Sequence, residues 1–120
     1  MHELSIAMAV QRAAHAAVAG AGGGRIEVAR VAVGELSGVE PDLLRYAWEA
    51  VTQDGPDEGA RLELVWRRAR QYCPDCGEKK ARAQGSWLRL CPDCDSPLRV
   101  EGGKELDLLQ VVFEEREVLA

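Results

Sequence analysis

The sequence predicts an α+β protein: two helices packed on a three-stranded sheet, with a four-cysteine module inserted before the last strand. Three observations carry this. Two stretches repeat apolar residues at helical spacing, three alternate as strands, and two identical Cys-Pro-Asp-Cys pairs lie between the second and third strand patterns. At 120 residues the chain is long enough for one core carrying a small insert and too short for two large domains.

The first helix is expected from His2 to about Ala17, with Leu4 and Met8 on one stripe and Ile6, Val10 and Ala14 on another. The glycine-rich run 20–24 ends it. This run lacks the Gly-Lys-Ser/Thr of a phosphate loop and reads as a turn. Residues 26–36 alternate as a strand whose parity changes near Ala29-Arg30, which a bulge would reconcile. Pro41 and Asp42 suit the start of a second helix, in which Leu43, Leu44, Ala47, Trp48 and Val51 form an apolar face. Leu62, Leu64 and Trp66 mark a second strand. A third runs from Leu106 to Glu115, with Leu106, Leu108, Val111 and Phe113 inward. The expected division is a body of residues 1–69 and 104–120 and an insert of residues 70–103 riding on a neighbouring pair of strands.

Cys73-Pro74-Asp75-Cys76 and Cys91-Pro92-Asp93-Cys94 are separated by fourteen residues, close to the spacing of a four-thiolate zinc ribbon. Each pair can supply two corners of a tetrahedron, with Zn–S distances of about 2.3 Å. Gly77 and Asp95, which follow the pairs, are of the types that tolerate the left-handed backbone such turns need. A filled site of this kind has no open position, so zinc here is structural and not catalytic. Two short disulfides or a thiol redox centre are the alternatives, less in keeping with duplicated pairs in a reducing compartment.

Charge divides the same way. The net charge is −5, made of +4 over residues 67–104 and −9 over the rest. Lys79, Lys80, Arg82 and Arg89 can offset the −2 of zinc with four thiolates. A zinc-ribbon nucleic-acid binder or protein-interaction module using Arg67, Arg68, Arg70, Lys79 and Lys80 is the rival reading, against which the net negative charge argues. No nucleophile–base pair or carboxylate constellation points to an enzyme. Glu3 and the polar residues Gln11, Arg12 and His15 interrupt any signal-peptide pattern, and no apolar run is long enough to span a membrane, so the expected compartment is the cytoplasm.

Met1-His2-Glu3 offers a metal the α-amine, backbone nitrogens and an imidazole on consecutive atoms of one chain. If the His2 and Glu3 amides ionise, four nitrogens can lie in a plane, the geometry favoured by copper(II) and nickel(II). Read alone, an exposed histidine near a frayed end is the simpler description. His15, the only other histidine, has no assigned role. Trp48 and Trp66 are expected in the core, and Trp87 in the packing of the ribbon.

Taken together, Met1-His2-Glu3-Leu4-Ser5, the stretch from Val33-Gly34-Glu35-Leu36 through Ser37-Gly38-Val39-Glu40-Pro41, the helix from Leu43 to Glu49, both cysteine pairs, and Gly103-Lys104-Glu105-Leu106 resemble the HypA/HybF family of nickel metallochaperones for hydrogenase and urease maturation. The resemblance runs nearly end to end. It implies nickel(II) as transient cargo bound by Met1, His2 and Glu3, and structural zinc(II) at Cys73, Cys76, Cys91 and Cys94. Implied partners are a nickel-handling GTPase, the precursor of the hydrogenase large subunit and urease accessory proteins, with no nucleic acid or membrane, and with the chain a monomer or weak homodimer. Asp95 departs from the family pattern, where glycine is common after the second pair. Glu40 lies either near the nickel site or simply at a solvent-facing helix start.

Overall fold

The computed structural model describes residues 2–80 and 90–115. Met1, Arg82, Trp87 and Arg89 lie outside them. Helix α1 spans Glu3–Gly20, strand β1 Gly24–Gly34, helix α2 Pro41–Thr52 and strand β2 Arg61–Arg67. Strands β3 (Arg70–Cys73), β4 (Glu78–Lys80) and β5 (Arg99–Glu101) belong to the insert, and β6 (Leu106–Glu115) completes the body.

The body sheet has the order β2-β1-β6, parallel between β1 and β2 and antiparallel between β1 and β6. The strands that flank the insert are therefore the two edges of the sheet. That corrects the expectation of a neighbouring pair: α2 is the crossover that makes β2 parallel to β1, leaving the other side of β1 for β6. Register shifts fall between Arg30 and Val31, close to where the parity changes, and also between Ile26 and Val28.

Both helices cover one sheet face. Ile6, Val10, Ala14 and Val18 of α1 and Leu44 and Trp48 of α2 pack against Ile26, Val31 and Val33. Trp48 donates its indole N–H to the Ala60 carbonyl at 2.9 Å, so its one polar atom is satisfied. Only one of the two apolar stripes on α1 is buried, while Leu4 and Met8 remain about half exposed. Trp66 is 48% exposed, contrary to its expected core position. It lies at the end of β2, opposite Val33, and is not part of the core the helices cover.

The insert forms its own sheet of order β4-β3-β5. It joins the body where two backbones nearly touch. A Cβ on Gly34 would overlap the Gly103 carbonyl, and one on Gly103 would overlap Ala69. The Leu36 N–H donates to the Gly103 carbonyl at 2.5 Å, and the Ala69 N–H to Glu35 Oε1 at 3.1 Å. Entry and exit of the insert are thus both fastened to the loop after β1. The radius of gyration is 19.0 Å, against about 14 Å for one compact unit of this length.

Candidate metal centres

The four cysteines are brought together from two turns of identical sequence and similar construction. In the first, the Gly77 N–H donates to the Cys73 carbonyl at 2.8 Å and the Cys76 N–H to Cys73 Sγ at 3.4 Å. In the second, the Asp95 N–H donates to the Cys91 carbonyl at 2.9 Å and the Asp93 N–H to Cys91 Sγ at 3.4 Å. Both turns close through a left-handed residue, Gly77 at φ 70° and Asp95 at φ 60°. The glycine is free of penalty there, whereas Asp95 carries a Cβ against it.

The sulfurs fit one ion. Cys73 and Cys94 Sγ are 3.5 Å apart, Cys76 and Cys94 3.5 Å, and Cys76 and Cys91 3.9 Å. A tetrahedron with metal–sulfur bonds of about 2.3 Å has edges of about 3.8 Å. These separations are much longer than a disulfide bond of about 2.05 Å, and all four cysteines are free thiols. Without a metal, one cluster cannot hold four thiolates. The Cys76 thiol is pushed up to about 12 by its contact with Cys94, then Cys73, whereas Cys94 is brought down to about 6 by the Ser96 hydroxyl and amide, then Cys76. A cation would remove that conflict by ionising all four.

The central aspartates of the two turns tie the halves together, a role the spacing did not reveal. Ser96 donates to Asp75 Oδ2 across the site. Lys80 Nζ lies 2.6 Å from Asp93 Oδ2 and 2.7 Å from Glu78 Oε1, with its side chain only 6% exposed. Asp93 first, then Glu78, raises the Lys80 pKa above its ordinary range. Its charge is therefore used by carboxylates as well as offsetting sulfur.

The N-terminal segment forms a different kind of site. His2 is exposed and is the N-cap of α1, with no side-chain capping bond, and its carbonyl accepts from Ile6 at 3.2 Å. The amide N–H groups of His2 and Glu3 precede the first helical donor, the Ile6 N–H, so neither is committed to a helix hydrogen bond. Glu3 Oε1 accepts from the Glu40 N–H at 3.3 Å. Its own amide first, and then that of Glu40, hold the Glu3 carboxyl below the usual carboxylate range. Glu40 itself caps α2, accepting the Leu43 N–H at 3.0 Å. It thus both starts a helix and adjoins Glu3. Among the described residues His2 and Glu3 do not join the cysteine cluster, which is the one group there of three or more side chains able to share an ion.

His15, without a role in the sequence reading, meets Asp57. Its Nε2 lies 2.6 Å from Asp57 Oδ2, and Gln11 Nε2 donates to the same oxygen at 2.8 Å. Asp57 is 2% exposed, so this contact satisfies a buried carboxylate and pins the loop before β2 to α1. The four-residue spacing of Gln11 and His15 on one helix face was the available signal, but their partner lies more than forty residues away.

Residues 1–113 match the family described as hydrogenase/urease nickel incorporation, metallochaperone, hypA. The hydrogenase maturation factor HypA of Chlorobium limicola is 38% identical over 64 residues, 53% of this chain and 55% of the relative. That of Geobacter metallireducens is 42% identical over 62 residues, 52% of this chain and 54% of the relative. The chain spans about half the length of the curated relatives it matches. The solution structure of the Ni metallochaperone HypA from Helicobacter pylori superposes with a TM-score of 0.66 over 97% of this chain and 100% of that one, and at 23% identity it shows a shared fold. No helix among the described residues is long and apolar enough to cross a membrane. With the match extending over nearly all of its 120 residues, the chain belongs to the HypA family of metallochaperones and not to a family of enzymes.

Proposed function

We propose that this protein is a cytoplasmic nickel metallochaperone for hydrogenase maturation. In this reading it binds nickel(II) as cargo through the Met1 amine, the His2 backbone and imidazole nitrogens and the Glu3 backbone nitrogen. The observation that carries the reading is the position of His2 and Glu3 at the very start of α1. There the backbone nitrogens a planar site would use are free of the helix hydrogen bonds that would otherwise resist their ionisation. The Glu3 carboxylate, engaged by the Glu40 amide, serves as a support in preference to a ligand.

Zinc is the proposed occupant of the four-cysteine site, since sulfur separations of 3.5–3.9 Å suit a closed tetrahedral thiolate shell. We treat residues 1–69 with 104–120 as the nickel domain and 70–103 as the zinc domain. Nickel would pass onward to a partner GTPase and the hydrogenase large-subunit precursor, and in some settings to the urease machinery, with this chain acting as a monomer or weak homodimer. Release follows from protonation. The α-amine titrates at about 8 and imidazole at about 6.5, and both must be deprotonated to bind, so affinity falls as pH falls through that range.

The test is a nickel(II) titration of the full chain and of His2→Ala at neutral pH, followed by calorimetry and by the visible absorption of planar nickel. Loss of the planar band and at least a tenfold weaker Kd in His2→Ala is expected. Equal affinity and an unchanged spectrum would remove His2 from the site.

A further inference from the structure

The arginines at the waist of the molecule are not explained by either metal site, and Lys79, which can also offset thiolate charge, lines one of the same cavities. Two cavities of about 590 and 380 Å³ meet at the short link between β2 and β3, where both are lined by Arg68 and Arg70. Lys79 extends the first cavity, and Arg67 with Trp66 extends the second. Arg30, Arg45 and Lys80 all have carboxylate partners. Among the described residues, no ion pair engages Arg67, Arg68, Arg70 or Lys79, and all four are exposed. Arg12, Arg61, Arg99 and Lys104 are likewise exposed and, among the described residues, without an ion pair, so what sets these four apart is that they gather along two cavities on a chain of net charge −5.

The backbone that carries them is held. Ala69, between Arg68 and Arg70, gives its N–H to Glu35 Oε1 and is packed against Gly103 so closely that no Cβ fits there. Guanidinium groups on a fixed link lose less freedom on binding than groups on a mobile loop. Trp66, half exposed beside them, adds the aromatic surface that together with arginine dominates protein recognition.

We propose that this waist is the docking surface for an extended, carboxylate-rich segment of a partner protein. Two cavities that share Arg68 and Arg70 suit an extended chain better than a compact anion. Glu35 lines the first cavity and Glu101 and Glu105 the second, together with the cations. A nucleic-acid strand, with one charge about every 3.4 Å, would meet those carboxylates, whereas a peptide can space its own acids around them. The surface stands independently of the nickel reading.

The experiment uses the full zinc-loaded chain and a dye-labelled peptide alternating glutamate pairs with single leucines, followed by fluorescence anisotropy at low salt. Its lysine counterpart and an oligothymidylate serve as competing probes. The glutamate peptide should bind, and Arg68→Glu with Arg70→Glu should weaken it at least about tenfold with zinc content and helicity unchanged. Lys79→Glu, on an exposed strand, should weaken it by a smaller factor, and Trp66→Ala should speed dissociation. Undiminished binding by the charge-reversed variants, equal binding of the lysine peptide, or tighter binding of the oligothymidylate would each overturn the proposal. So would self-association at the assay concentration that the same reversals abolish, because the occupant would then be a second copy.

Discussion

In the body, Ile26, Val31, Val33 and Leu44 are at most 1% exposed and Trp48 is 2% exposed, whereas the fully buried side chains of the ribbon are the cysteines Cys73 and Cys91. Of the ribbon's described large aliphatic residues, Leu90 and Val100 are 54% and 48% exposed and Leu98 is half-buried. One region is held by apolar burial and the other has little to draw on, although both use hydrogen-bonded strands. The body should therefore be indifferent to the ribbon's metal, while the ribbon should have no stable fold without it.

The sharpest way to break this contrast is to remove the metal. Chelation, or Cys73→Ser, should abolish amide protection across β3, β4 and β5, a loss of about 10 kcal/mol of folding free energy, while α1 and α2 keep their far-ultraviolet signal. Hydrogen exchange read by mass spectrometry distinguishes the two, and collapse of both regions together would show that the body depends on the ribbon. The converse substitution is Trp48→Ala. It empties a site that is 2% exposed and orphans the Ala60 carbonyl, so denaturant unfolding of the body should lose about 3–5 kcal/mol with zinc content unchanged. A smaller effect, of about 1 kcal/mol in the opposite direction, is expected from Asp95→Gly, which removes the Cβ from a left-handed residue at φ 60°. Competition with a chelator should show tighter metal retention in that variant, and weaker retention would mean that the Asp95 side chain supports the turn.

What was legible in the sequence follows the range of the interactions involved. Helix periodicity, the Pro41 start and the 106–115 strand are local patterns, and the structure reproduces them closely, with α2 at Pro41–Thr52 and β6 at Leu106–Glu115. The two turn residues Gly77 and Asp95 were also local, and both adopt the expected backbone. Strand order was not legible, because it depends on which side of β1 the α2 crossover leaves open. Nor were Trp66, whose alternation matches Leu62 and Leu64 but whose position at the end of β2 leaves it outside the core, or the buried acid at Asp57, whose partners lie on α1. The cross-ties of Asp75 to Ser96 and Asp93 to Lys80 join segments whose approach only the folded cysteine cluster creates.

The two metals provide the most direct test of the assignment of cargo to the body and structure to the ribbon. Native mass spectrometry would count nickel and zinc on the protein with a free Met1 amine and on the same chain with that amine acetylated. The acetylated chain should keep one zinc and lose its nickel, because acetylation converts the amine to an amide and supplies no replacement donor while every fold element remains. Retention of nickel by the acetylated chain, or loss of zinc along with nickel, would contradict that assignment.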